Sequence, residues 1–343
     1  MEPTTECLNE IKTFIKTNID PIIKKKYNEK NVRFIGKGGQ GVVYLFNLNG
    51  SLCKNIVAKI SKKTKVSIKE ASVFDLITKL PGVSTNVKPS PNIIKSYGNF
   101  ETNNYICLLM EKADGSLEDW VRAEHSFDQW KSLILQMLLG VLFMQKILKM
   151  YHGDMKPKNI LFKSVPDNTL EYDIDNKHYS VRTYGVQVLI SDFGTAQTKL
   201  LKDNILTDNE IEMHIKNNLD LEHLATFHKR IIVNLLENVY SYDDIIELIE
   251  EKKDKKFKEY FDLKTEETVK TLYKYPDHIK KAMILRSLLY YMLEHKYVNV
   301  DEIPIMVNSK PPPQKIVDVL ENIILINQNK SIEQMIQEIQ KLT

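Results

Sequence analysis

With 343 residues the chain is long for a single core and about right for two lobes sharing a cleft. Apolar residues make up 43% and charged residues 27%, ordinary for a globular chain and unlike a disordered one. The net charge of +3 is too small to argue by itself for a nucleic-acid or membrane partner, so neither is expected.

Residues 4–28 carry Leu8, Ile11, Ile15, Ile19, Ile22 and Ile23 at helical spacing, which predicts a helical extension over 1–30 interrupted at Pro21. Lys24-Lys25-Lys26 reads as a solvated face. The start lacks the basic opening and apolar centre of a secretory signal, and no apolar run is long enough to cross a bilayer. Cys7, Cys53 and Cys107 lie far apart with no CxxC pair. That argues against a zinc ribbon or disulfide framework and for a reducing, cytoplasmic setting.

From Val32 short β-branched runs alternate with turn residues: Val32–Ile35, Val42–Phe46, Ile56–Ile60, Ile93–Phe100 and Tyr105–Met110. One helical stretch, Ile68–Lys79, interrupts them, so a small sheet with one helix is predicted over 31–111. Helices then dominate 112–343, beginning with a long apolar stretch, Trp130–Met150, read as a core helix. Pro311-Pro312-Pro313 ends one helix and precedes another. The fold class is α+β: a small β-rich lobe followed by a larger helical one.

Four motifs carry chemistry. Gly36-Lys37-Gly38-Gly39-Gln40-Gly41-Val42-Val43 reads GxGxxGxV, whose glycines let a strand–turn–strand loop present backbone N–H groups to phosphates. Alone it could be a dinucleotide fingerprint or a plain hairpin, but strands are predicted on both sides and a dinucleotide site needs a helix to follow. Val57-Ala58-Lys59-Ile60 puts a lysine on the next strand, and Glu70 on the following helix could pair with it and hold the ammonium against phosphates. His152-Gly153-Asp154-Met155-Lys156-Pro157-Lys158-Asn159 follows the long helix and precedes an apolar strand. In it Asp154 suits a hydroxyl proton, Lys156 a transferring phosphoryl group and Asn159 a metal ion. Asp192 of Ser191-Asp192-Phe193-Gly194 is a hard oxygen ligand suited to Mg²⁺.

This order of elements, over residues 31–225, resembles the eukaryotic-type protein kinase family. The resemblance implies an ATP-dependent serine/threonine protein kinase with a protein substrate and Mg²⁺ as its metal ion. Gly36, Gly38, Gly41, Val43 and Ala58 would line the ATP site, Lys59 and Glu70 would form its ion pair, and Met110, Glu111 and Ala113 would be gatekeeper and hinge. Asp154 and Lys156 would be catalytic, Asn159 and Asp192 would hold the metal, and Asp220 would anchor the catalytic loop. Lys156 is similar to serine/threonine kinases. His-Gly-Asp alone also resembles small-molecule phosphotransferases, and that activity or a pseudokinase scaffold is the alternative reading.

Three departures from the family pattern stand out. Gly153 replaces the usual arginine before the catalytic aspartate. No Ala-Pro-Glu lies between Gly194 and Asp220. Extra sequence separates Asn159 from Asp192, and within it Tyr172–Tyr179 reads as a hairpin turning at Asp175-Asn176. Divergent kinases of large DNA viruses are similar in carrying extra sequence there.

Overall fold

The computed structural model describes residues 3–24, 31–37, 41–47, 54–83, 89–221, 233, 236–237, 239–295, 297, 313–325 and 330–342. Lys25, Lys26, Gly38, Gly39, Gln40, Cys53, Pro311, Pro312 and residues 222–225, named above, lie outside the described residues.

The helical extension is two helices, α1 (Thr5–Thr17) and α2 (Ile19–Ile23). The break falls at Asn18 and not at Pro21. The Asn18 backbone N–H and side-chain amide both donate to the Phe14 carbonyl and close α1. Pro21 sits in the first turn of α2, where an N–H would have no helical acceptor. Cys7 is disulfide-bonded, against the expectation that the chain carries no disulfide. Cys107 is free and buried, and burial pushes its thiol up to about 12.

A five-stranded antiparallel sheet follows: β1 (Val32–Lys37), β2 (Gly41–Phe46), β3 (Ile56–Lys62), then α3 (Lys65–Val83), β4 (Ser96–Glu101) and β5 (Tyr105–Glu111), in the order β1-β2-β3-β5-β4. The fourth strand starts later than the apolar run suggested. Ile93 instead makes a parallel bridge to Ile190 in the other lobe. Side chains alternate across a strand, and here both faces are covered. Tyr44, Phe46, Ala58, Ile60 and Leu109 pack outward against Ile11, Ile15 and Ile22 of α1 and α2. Each of those isoleucines is fully buried, worth roughly 1.5–3 kcal/mol apiece. The Tyr44 hydroxyl donates to the Ile22 carbonyl at 3.0 Å. The extension is thus the outer layer of the sheet lobe.

The helical lobe opens with β6 (Gly115–Ser116), α4 (Leu117–Trp120) and α5 (Phe127–Lys146). A capping box between Ser126 and Gln129 starts α5. The helix is buried along almost its whole length, which explains its apolar faces. After it come β7 (Met150–Tyr151), β8 (Ile160–Ser164), β9 (Thr169–Ile174), β10 (Lys177–Arg182), β11 (Val186–Ile190), β12 (Gln197–Thr198) and α6 (Asp208–Lys216). β11, β8 and β6 form one sheet and β12 pairs with β7. The expected hairpin is β9–β10. Its two-residue turn has Asp175 at φ 51° and Asn176 at φ 61°, the left-handed pair such turns require.

Beyond α6, α7 (Tyr242–Lys252), α8 (Lys255–Thr271) and α9 (Asp277–Glu294) share a core of their own around Phe257, Leu288 and Met292. Pro313 precedes α10 (Gln314–Asp318), as expected of the proline run. α10 and α11 (Ile332–Gln340) return to the main core beside α5. Among the described residues no helix is long and apolar enough to cross a membrane.

Candidate active site

The site lies between the lobes and starts on β3. Cross-strand pairing sets Val43 opposite Lys59 and Met110 opposite Val57. Val43, Val57 and Met110 therefore share the Lys59 face, and all three belong to the core that runs into the helical lobe. Ala58 does not join them. Adjacent strand residues point to opposite faces, and Ala58 is fully buried under α1 and α2. Val57 takes the place assigned to Ala58, and the alternation of β3 was the signal that could have found it.

Lys59 Nζ binds both Glu70 carboxylate oxygens, at 2.7 and 2.9 Å, and Asp192 Oδ1 at 2.9 Å. Only two residues separate β3 from α3, which brings the pair together. One cation serves two carboxylates. Burial opposes the Lys59 charge, but Glu70 and Asp192 outweigh it and hold the ammonium above the usual lysine range. Burial pushes Glu70, only 1% exposed, upward against the pull of Lys59. Asp192 is less buried, and Lys59 overcomes desolvation to hold its carboxyl below the usual range.

Asp192 has φ 63° and ψ 67°, a left-handed conformation uncommon outside glycine. What holds it is next in sequence. Phe193 is fully buried and meets Phe74 of α3 edge-on at 5.4 Å and His152 at 5.0 Å. His152 is also fully buried, and burial pushes its imidazole down, so it stays neutral. Its Nε2–H donates to the Ser191 carbonyl at 3.1 Å, while Nδ1 accepts from the Asp154 N–H at 3.3 Å. The Asp220 carboxylate accepts the backbone N–H groups of His152 and Gly153 at 2.8 and 3.0 Å. These contacts tie α3, the segment after β11 and the loop after β7 into one unit.

Within that loop Asp154 Oδ2 accepts from Lys156 Nζ at 2.5 Å and from Asn159 Nδ2 at 2.9 Å. Asp154 Oδ1 takes no hydrogen bond among the described residues. The Asn159 amide nitrogen also donates to the Asp154 carbonyl, so its amide oxygen remains available. The Ser191 N–H and hydroxyl donate to the Asn159 carbonyl, both at 2.9 Å, and set Asn159 beside the start of the Asp192 segment.

Where the lobes meet, Glu111 accepts from the Lys95 N–H at 2.9 Å and from Lys163 of β8 at 3.0 Å. The Ala113 N–H donates to no group among the described residues. Of the glycines, Gly36, next to last in β1, faces open space. A Cβ on Gly41 would meet the Ile60 carbonyl oxygen at 2.3 Å, so close approach of β2 to β3 requires glycine there.

A family model described as the protein kinase domain matches residues 29–211. The chain belongs to the protein kinase family. Among curated relatives, this kinase is 30% identical to calcium-dependent protein kinase 22 of Arabidopsis thaliana, over 45% of this chain and 31% of that protein. It is 26% identical to the probable serine/threonine-protein kinase 380R of Invertebrate iridescent virus 6, over 48% of this chain and 36% of that one. The kinase thus spans about a third of the length of these two relatives. A solved kinase domain covers 61% of this chain and 67% of its own at 20% identity and a TM-score of 0.41.

Proposed function

We propose that this kinase transfers the γ-phosphoryl group of ATP to serine or threonine hydroxyls of proteins. The observation that carries the reading is the two ion pairs of Lys59 Nζ, with Glu70 and with Asp192, which join the sheet lobe to the helical lobe across the cleft. Lys59, held cationic there, would bind the ATP phosphates. Gly36, Gly38 and Gly41 would bring β1, β2 and their turn over those phosphates. Val43, Val57 and Met110 would enclose the adenine, with the Glu111 carbonyl and Ala113 N–H as its hydrogen-bonding edge.

Asn159 and Asp192 fit Mg²⁺. They offer one amide and one carboxylate oxygen, a hard donor set that phosphate oxygens and water would complete. Mg²⁺ supplies neutralisation of charge on the phosphates. Asp154, its Oδ2 held by Lys156 and Asn159, keeps Oδ1 for the substrate hydroxyl: it orients that oxygen and accepts its proton. Lys156 would steady the phosphoryl group in transit. The protein substrate and its serine/threonine character rest on Lys156 and on the relatives named as serine/threonine kinases.

The test is incubation with γ-labelled ATP, Mg²⁺ and casein or myelin basic protein. Label on serine and threonine that disappears in Lys59→Met supports the reading. Label confined to small molecules, or none at all, overturns it.

A further inference from the structure

A cavity of about 780 Å³ lies away from the cleft, where the end of α5, the turn into β7, α6 and the start of α11 converge. Five lysines line it, Lys146, Lys149, Lys199, Lys216 and Lys330, against two acidic residues, Glu212 and Glu333. Three of the lysines are already paired: Lys146 with Glu333 at 3.3 Å, Lys199 with Glu212 at 2.8 Å and Lys330 with Glu338 at 2.7 Å. Lys149 and Lys216 have no carboxylate within ion-pair distance among the described residues. Both act on Glu212 from beyond contact and, with Lys199, hold its carboxyl below the usual range.

Two of these lysines have a plain structural explanation. Lys146 and Lys216 end helices, where a cation is favoured. Lys149 has none. It sits at φ 47°, a conformation that suits glycine or asparagine better than lysine. Gln145, Asn217 and Ser331 add hydrogen-bonding groups to the same walls.

We propose that this cavity binds a compact ligand carrying several phosphate groups, of the inositol polyphosphate type. Ammonium groups bind phosphate oxygens as point charges, and several phosphates are needed to use both free lysines and the shared ones. The volume is that of a small-molecule site, and its concavity suits a compact anion better than an extended nucleic acid. The position matters, because the Lys149 turn leads into β7 and the catalytic loop, while Asn217–Leu219 leads into Asp220.

Isothermal titration with inositol hexakisphosphate, in 0.15 M salt and without nucleotide, tests the site on the full chain. One site is expected, weakened roughly tenfold or more in Lys149→Gln/Lys216→Gln, since each lost charge-assisted bond removes a large share of the affinity. Both lysines are exposed, so the double variant should fold, and an unchanged melting temperature checks it. Lys256→Gln/Lys258→Gln, exposed on α8, removes equal charge elsewhere and should bind as the parent does. Flotation with vesicles containing phosphatidylinositol bisphosphate separates the two sources. Vesicle binding lost in the Lys149/Lys216 variant assigns a lipid headgroup, and its absence beside tight soluble binding assigns the free compound. No binding at 1 mM, equal binding by the double variant, or loss in Lys59→Met instead overturns the proposal.

Discussion

At the scale of single residues, chemistry was easier to read than orientation. Lys59, Glu70, Asp154, Asn159 and Asp192 stood out because phosphoryl transfer needs those groups in that order, and the structure gathers them in one cleft. Ala58 failed because the motif was matched by its letters without following the alternation of the strand. That error makes a prediction. Val57→Phe should raise the KM for ATP about tenfold or more, roughly 1.4 kcal/mol, with little loss of stability. Ala58→Val should cost about 1–3 kcal/mol of stability by overpacking against α1 and α2, with KM unchanged. Kinetics and urea melts on both variants check it, and the opposite pattern would restore Ala58 to the site. Asp154→Asn and Asp192→Asn should each lower kcat by roughly a hundredfold or more. Their far-ultraviolet spectra and melting curves should match the parent, since both side chains are about one-third exposed and neither fills a core.

At the scale of elements, periodicity and turn chemistry gave the helices, the hairpin and most strands. It could not show what each element leans on. Pro21 drew attention as a breaker, yet the asparagine cap at Asn18 ends α1, because a proline in a first turn disturbs nothing. The β9–β10 hairpin was legible from Asp175-Asn176, but its purpose was not. It sends Tyr172 into the core, where the hydroxyl donates to Asn92 Oδ1 at 2.5 Å. Asn92 in turn donates to Gln136 and to the Val188 carbonyl, and its own carbonyl accepts the Ile190 N–H two residues before Asp192. The inserted hairpin therefore braces the strand that carries Asp192. Burial holds the Tyr172 phenol well above its usual range, so it acts as a neutral donor. Tyr172→Phe should leave a buried amide oxygen short of a partner and cost about 1–3 kcal/mol in chemical denaturation. A change under 0.3 kcal/mol would show that the network does not depend on the hairpin.

At the scale of the whole molecule, α3 is seated against the helical lobe through Phe74, Phe193 and His152. Gly153, in place of an arginine, offers no side chain to receive a phosphate on the segment from Thr195 to Asp220, which argues for independence from phosphorylation there. The structure adds reasons that no motif carries. Gly153 has φ 79°, and a Cβ there would lie 3.2 Å from the Thr195 carbonyl oxygen, so the backbone itself disfavours a larger residue. The acceptor threonines are occupied: Thr195 donates to the His152 carbonyl, Thr198 is fully buried, and Thr207 caps α6. Lys199 is engaged by Glu212. On α3, Lys69 is buried without a hydrogen bond among the described residues; burial lowers its ammonium pKa, and Asp203 opposes that shift. Protein made in bacteria and treated with phosphatase should therefore keep its activity within a few fold. Thr195→Ala should do the same. A loss beyond about a hundredfold on phosphatase treatment, roughly 2.7 kcal/mol of transition-state stabilisation, would show that the segment from Thr195 to Asp220 is a phosphorylation switch.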